Sequence, residues 1–92
     1  MKLLERLKGI EKTALKEIIE SANLDELEIS RVKYLGRKGI ITDAIKGIKN
    51  VAKKDKPRVG QFINKIKQKI TSLIGEKELS FREEEQTRFE ND

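Results

Sequence analysis

The sequence has no cysteine, no histidine and no tryptophan, and its one proline is Pro57. Without thiol or imidazole it has no disulfide, no thiol nucleophile, no histidine general base and no zinc site of the usual ligands. Aromatic residues make up 4% of the chain and hydrophobic residues 36%. That is too little for a thick core, though more than a fully disordered chain carries. No apolar run approaches the roughly 20 residues of a membrane span. Residues 1–10 alternate apolar side chains with Lys, Arg and Glu, which leaves no continuous apolar segment for a secretory signal. A single soluble domain of the cytoplasm, away from membranes, is therefore the expectation, and the lack of cysteine agrees with a reducing compartment.

Charge is what the chain has in abundance: 21 Lys and Arg against 16 Asp and Glu, a formal net charge of +5. It is segregated. Residues 1–30 hold five basic and seven acidic side chains, a balance of −2, and residues 70–92 hold three against seven, a balance of −4. Residues 31–69 hold thirteen basic side chains and only Asp43 and Asp55, a balance of +11. A patch of that size repels itself unless an anion lies against it, and nucleic-acid phosphate is the commonest such partner. The bland alternative is that these side chains merely solvate helix faces.

Leu3, Leu7, Ile10, Ala14 and Ile18 recur every three or four residues and predict a helix from about Lys2 to Ala22. Asn23 and Glu26 have the spacing of a capping box, so a second helix should start near Leu24. It carries Leu24, Leu27, Tyr34 and Leu35 on one broad face. Gly36 is expected to end it by accepting a left-handed conformation. Tyr34 is read as core rather than as a surface for stacking bases. After the basic turn Gly36-Arg37-Lys38-Gly39, Thr42 is expected to cap a short helix through Asp43, Ala44, Ile45 and Ile48, with a bend at Gly47.

The longest pattern is Val59, Ile63, Ile66, Ile70 and Leu73, a heptad seam. Pro57 suits a first turn, so the last helix should start at about Lys53 to Lys56. Running to Arg88 it would span roughly 50 Å, longer than a small globular domain is wide. The fold expected is all-α: an elongated antiparallel helical hairpin, a coiled-coil arm with short additional helices, filling residues 1–92 as one unit. Past Leu73 the seam positions become Lys77, Ser80 and Glu84, so the distal end is expected to lack a packing partner and the chain to be incomplete there. Gly60 and Asn64 are expected to mark a close helix approach with a polar contact that sets register.

Chemistry for catalysis is sparse. Glu83, Glu84 and Glu85 are the densest carboxylates, but consecutive helical residues point about 100° apart and a solvated run has no cleft to shift a pKa. No phosphate-binding glycine loop is present. No catalytic, metal-binding or cofactor-binding residue is assigned.

Two segments carry a family signature. Residues 31–42, Arg31-Val32-Lys33-Tyr34-Leu35-Gly36-Arg37-Lys38-Gly39 and on through Ile41-Thr42, and then Lys56-Pro57-Arg58-Val59-Gly60-Gln61-Phe62-Ile63-Asn64-Lys65-Ile66-Lys67, resemble the N-terminal region of the bacterial phenylalanine–tRNA ligase alpha subunit. The resemblance covers about residues 1–75 and leaves 76–92 as a helix running toward a catalytic domain the chain does not contain. Ala52, where a Ser or Thr cap is expected, and Lys54, where an acid is common, depart from the pattern. The resemblance implies a coiled-coil arm that binds tRNA in an enzyme of two alpha and two beta subunits. It also implies a class II catalytic domain elsewhere in the alpha chain that uses ATP and magnesium, with no cofactor in this segment. DNA is not an expected partner.

The candidate phosphate contacts are Arg31, Lys33, Arg37, Lys38, Lys46, Lys49, Lys53, Lys54, Arg58, Lys65, Lys67 and Lys69. Charge at Arg37 and Lys38 is expected to count for more than charge at Lys12 and Lys16. The competing expectation is a structural coiled coil for subunit association, because the Val59–Leu73 seam could equally join two chains. Membrane-surface binding by the first helix is disfavoured, since Glu5, Glu11, Glu17 and Glu20 offset its lysines.

Overall fold

The computed structural model describes residues 2–91, with side chains as far as Glu85. Met1 and Asp92, the two ends of the single arm expected over 1–92, lie outside the described residues. Four helices follow one another: α1 (Lys2–Glu20), α2 (Leu24–Leu35), α3 (Ile40–Lys46) and α4 (Lys56–Asn91). Two 3-10 turns, Gly47–Asn50 and Lys53–Asp55, lead from α3 into α4. The fold is the all-α arm expected, measuring 59 × 19 × 18 Å. The 36 residues of α4 account for its length at about 1.5 Å per residue.

Helix boundaries follow from local chemistry. At the start of α2 the Glu26 N–H donates to Asn23 Oδ1 at 2.9 Å, and Glu26 Oε2 accepts from the Ala22 N–H at 2.8 Å. This is the capping box, with its return bond moved one residue upstream. Before α4, the Asp55 N–H donates to the Ala52 carbonyl at 2.8 Å. Ala52 offers no side-chain cap, and the chain enters α4 through a 3-10 turn. The bend expected at Gly47 is the change from α3 to a 3-10 turn.

Gly36 and Gly39 are required for a different reason from the one expected. Gly36 has φ −66° and no described glycine has positive φ, so no left-handed cap ends α2. Space is the constraint. A Cβ at Gly36 would lie 2.6 Å from the Val32 carbonyl oxygen, and one at Gly39 would lie 2.7 Å from the Tyr34 carbonyl oxygen. Thr42 does not cap α3 either. Gly39 occupies the cap position, and the Thr42 hydroxyl donates back across the turn to the Gly36 carbonyl at 2.8 Å.

Cross-contacts give the helix directions. Glu11 of α1 meets Lys69 of α4, and Ile19 and Ser21 meet Lys77, so residue numbers rise together and α1 and α4 are parallel. Glu17 meets Lys33, which folds α2 back antiparallel to α1. The hairpin is therefore α1 with α2, and both pack on α4. Val59, Ile63, Ile66, Ile70 and Ile74 of α4 are buried with Leu7, Ala14, Ile18, Leu27, Tyr34, Ile41 and Ala44. The seam thus closes on Ile74, while Leu73 is only half-buried. The resulting 4, 3, 4, 4 spacing repeats that of Leu3 to Ile18 on α1 and stays near the 3.6-residue period.

Lys77 falls on the seam as expected but closes it instead of leaving it open. Its ammonium donates to the carbonyls of Ile19 at 2.7 Å and Ser21 at 2.9 Å, serving carbonyls at the end of α1 that have no helical partner. It also lies 5.2 Å from the Phe81 ring centre. Ser80 and Glu84 are exposed.

No close helix approach explains Gly60: a Cβ there would meet nothing within 4 Å, and Asn64 is exposed. Glycine in an open helical position forgoes about 0.5–1 kcal/mol relative to alanine. Gly60→Ala should therefore raise the thermal midpoint followed by circular dichroism. Gly36→Ala and Gly39→Ala, each forced against backbone oxygen, should lower it.

Candidate nucleic-acid interface

All twelve candidate cations are exposed. Arg31 and Lys33 lie on α2, Arg37 and Lys38 in the α2–α3 turn, Lys46 at the end of α3, and Lys49, Lys53 and Lys54 in the 3-10 turns. Arg58, Lys65, Lys67 and Lys69 lie along the first half of α4. The fold does not gather them into one patch. At about 100° per residue Arg58, Lys65 and Lys69 share one edge of α4, whereas Lys67 falls on the opposite flank.

Pairing divides them further. Arg31 Nε donates to Glu28 Oε2 at 2.8 Å, Lys33 Nζ to Glu17 Oε1 at 2.8 Å, and Lys69 Nζ to Glu11 Oε1 at 3.3 Å. These are solvated pairs, screened by water and salt. The other nine have no carboxylate within 4.0 Å among the described residues. Asp43, one of the two acids of the basic segment, is engaged 3.7 Å away by Arg6.

Counting charge by segment passes over Lys8, Lys12 and Lys16. All three are exposed on α1, four residues apart and without ion-pair partners among the described residues. Their spacing is visible in the sequence, but the acids of the same helix, Glu5 on the same face and Glu11, Glu17 and Glu20 around it, hide it in a net balance. No described group of three or more acidic side chains is placed to hold a metal ion. Glu83, Glu84 and Glu85 are all exposed. No described helix is long and apolar enough to cross a membrane.

The profile of the family described as "Aminoacyl tRNA synthetase class II, N-terminal domain" matches residues 22–88. The chain belongs to this family. Its similarity is to phenylalanine–tRNA ligase alpha subunits. It is 37% identical over 84 residues to that of Caldanaerobacter subterraneus subsp. tengcongensis, covering 91% of this chain and 25% of the relative. To that of Fusobacterium nucleatum subsp. nucleatum it is 43% identical over 68 residues, covering 74% and 20%. To that of Natranaerobius thermophilus it is 36% identical over 89 residues, covering 96% and 26%. The chain thus spans about a quarter of the length of the ligase alpha subunits it matches. No solved structure matches it.

One candidate cation, itself exposed, is tied to a core residue of this N-terminal domain. Lys33 bonds Glu17 and sits 5.4 Å from the Tyr34 ring centre. The Lys33 bond holds the Glu17 carboxyl below its ordinary range. Tyr34 is 1% exposed. Burial first, and its hydrogen bond to Glu17 second, push its phenol up to about 12. The folded chain therefore holds the phenolic proton more tightly than the unfolded chain does. The associated stability is complete below pH 10 and disappears as pH rises toward 12. In urea titrations Tyr34→Phe should lose less stability than the parent between pH 9.5 and 12.

Proposed function

We propose that this chain is the tRNA-binding arm of a phenylalanine–tRNA ligase alpha subunit. In this role it positions tRNA through phosphate and shape contacts while aminoacylation proceeds elsewhere in the enzyme. The observation that carries the proposal is an elongated helical arm with exposed cations, nine of the twelve candidates having no carboxylate within 4.0 Å among the described residues, in a chain similar to the N-terminal quarter of such subunits. A rigid helix surface suits A-form RNA, whose shape, phosphates and 2′-hydroxyls are accessible while its base edges are not. The catalytic domain, with ATP and magnesium, would lie outside this segment. The complete enzyme would pair two alpha with two beta subunits in the cytoplasm.

The alternative of pure subunit association draws on the α4 seam, yet α1, α2 and α3 already cover that seam within one chain. Should six or more phosphates be engaged, tRNA affinity should fall by at least ~10³ between 50 and 200 mM salt. Fluorescence anisotropy of labelled tRNA measures this, and an affinity flat over that range rules the role out. In sedimentation the chain should be a monomer that shifts with tRNA; a stable dimer indifferent to tRNA would support association instead.

A further inference from the structure

The Glu11–Lys69, Ile19–Lys77 and Ser21–Lys77 contacts set a register of 56 to 58 residues between the parallel helices α1 and α4. It brings Lys8 level with Lys65 and Lys12 level with Lys69. Helix azimuths agree. Glu11 marks the edge of α1 turned toward α4, and Lys8 and Lys12 lie about 60° and 100° from it. Lys69 marks the facing edge of α4, with Arg58 and Lys65 within about 40°. Five cations therefore flank a groove between helix axes about 8–10 Å apart. All five are exposed, and four have no carboxylate within 4.0 Å among the described residues. The fifth, Lys69, shares Glu11 in a pair that solvent screens.

The α1–α2 side is electrically different. There the cations are paired: Arg6 with Asp43 of α3, Lys33 with Glu17 and Arg31 with Glu28; the α1–α4 face carries exposed acids too, Glu5 beside Lys12 and Glu76 beyond Lys69, but neither lies within 4.0 Å of a cation among the described residues. Ring positions narrow the ligand. Tyr34 is buried, and Phe62 and Phe81 are half-buried, so these rings offer no platform for stacking unpaired bases. Two parallel rows of cations with no fully exposed ring among the described residues suit paired strands, whose phosphates are regularly spaced and whose bases are hidden.

We infer that the α1–α4 face, through Lys8, Lys12, Arg58, Lys65 and Lys69, seats the sugar–phosphate backbone of double-helical RNA and does not engage unpaired loops. The inference rests on the RNA-binding role proposed above. It makes Lys12, ranked below Arg37 and Lys38 when charge is counted along the chain, a direct phosphate contact. It also removes Arg31 and Lys33 from the contact set.

The test compares the 92-residue chain with two double variants, Lys8→Gln with Lys12→Gln and Arg31→Gln with Lys33→Gln. Each is titrated between 50 and 200 mM salt against a blunt RNA duplex of about 16 base pairs and against one of its single strands. Circular dichroism of each variant confirms parental helicity. Loss of Lys8 and Lys12 should weaken duplex binding roughly 10- to 100-fold at 0.1 M salt and reduce the slope of log affinity against log salt by about 2. Loss of Arg31 and Lys33 should change affinity by less than about 3-fold and leave the slope unaltered. Equal losses from the two pairs, or a single strand bound as tightly as the duplex, would overturn the inference. A parent chain with steep salt dependence but no sensitivity to Lys8 and Lys12 overturns the face and leaves the RNA-binding role standing. A parent chain that binds neither RNA removes both.

Discussion

The apolar stripe of α4, from Val59 to Ile74, must be kept from water over about 23 Å at 1.5 Å per residue, and among the described residues α1 is the only other helix long enough to follow it. Both helices carry apolar residues at the same 4, 3, 4, 4 intervals. Aligned in parallel, Leu7, Ala14 and Ile18 fall level with Ile63, Ile70 and Ile74, all of them buried. That pairing obliges the chain after α1 to return to the starting end before α4 can begin. α2, α3 and the two 3-10 turns make the return, and Leu27, Tyr34, Ile41 and Ala44 close the third side of the core on the way. A core this thin is sufficient because each of its positions is shared by two or three helices.

The return path explains the least tolerant part of the sequence. Between Leu35 and Ile40 the chain turns from α2 into α3 in four residues, and its backbone passes so near the Val32 and Tyr34 carbonyls that neither glycine can carry a side chain. Arg37 and Lys38 are exposed at this corner, between the two glycines. At the opposite end the Lys77 ammonium holds the carbonyls of Ile19 and Ser21, so the α1–α2 connection is tied to α4 where the apolar seam stops. Both ends of the hairpin are thereby fixed by polar contacts, and the stretch between them by burial.

Much of this could be anticipated from residue order. Caps at Asn23 and Glu26, the proline in the first turn of α4 and the apolar periodicity located the helices within a few residues. Tyr34 was placed in the core, as observed. Helical periodicity has no arrow, however, so nothing in the spacing of Leu3 to Ile18 distinguished a parallel from an antiparallel neighbour. Glycine in a turn suggests left-handed backbone by default, whereas Gly36 and Gly39 answer to carbonyl oxygens that become neighbours only after folding. Segment sums along the chain discard azimuth, so they neither set Lys8 and Lys12 apart from the acids of α1 nor separate Arg31 and Lys33, which carboxylates engage, from cations with none beside them.

The described side chains of α4 past Phe81 are exposed and no apolar residue among them joins the core, yet the helix continues to Asn91. This distal stretch works as a shaft, and a helical shaft transmits rotation. One residue added or removed between Arg82 and Asn91 would turn the arm by about 100° and displace it by only 1.5 Å with respect to anything fixed at the far end. Two residues would point it nearly backwards, while seven would restore its heading to within about 20°. If a body is fixed to the far end, length changes in this stretch act through phase rather than distance, and those close to whole helical turns keep the arm aimed in one direction.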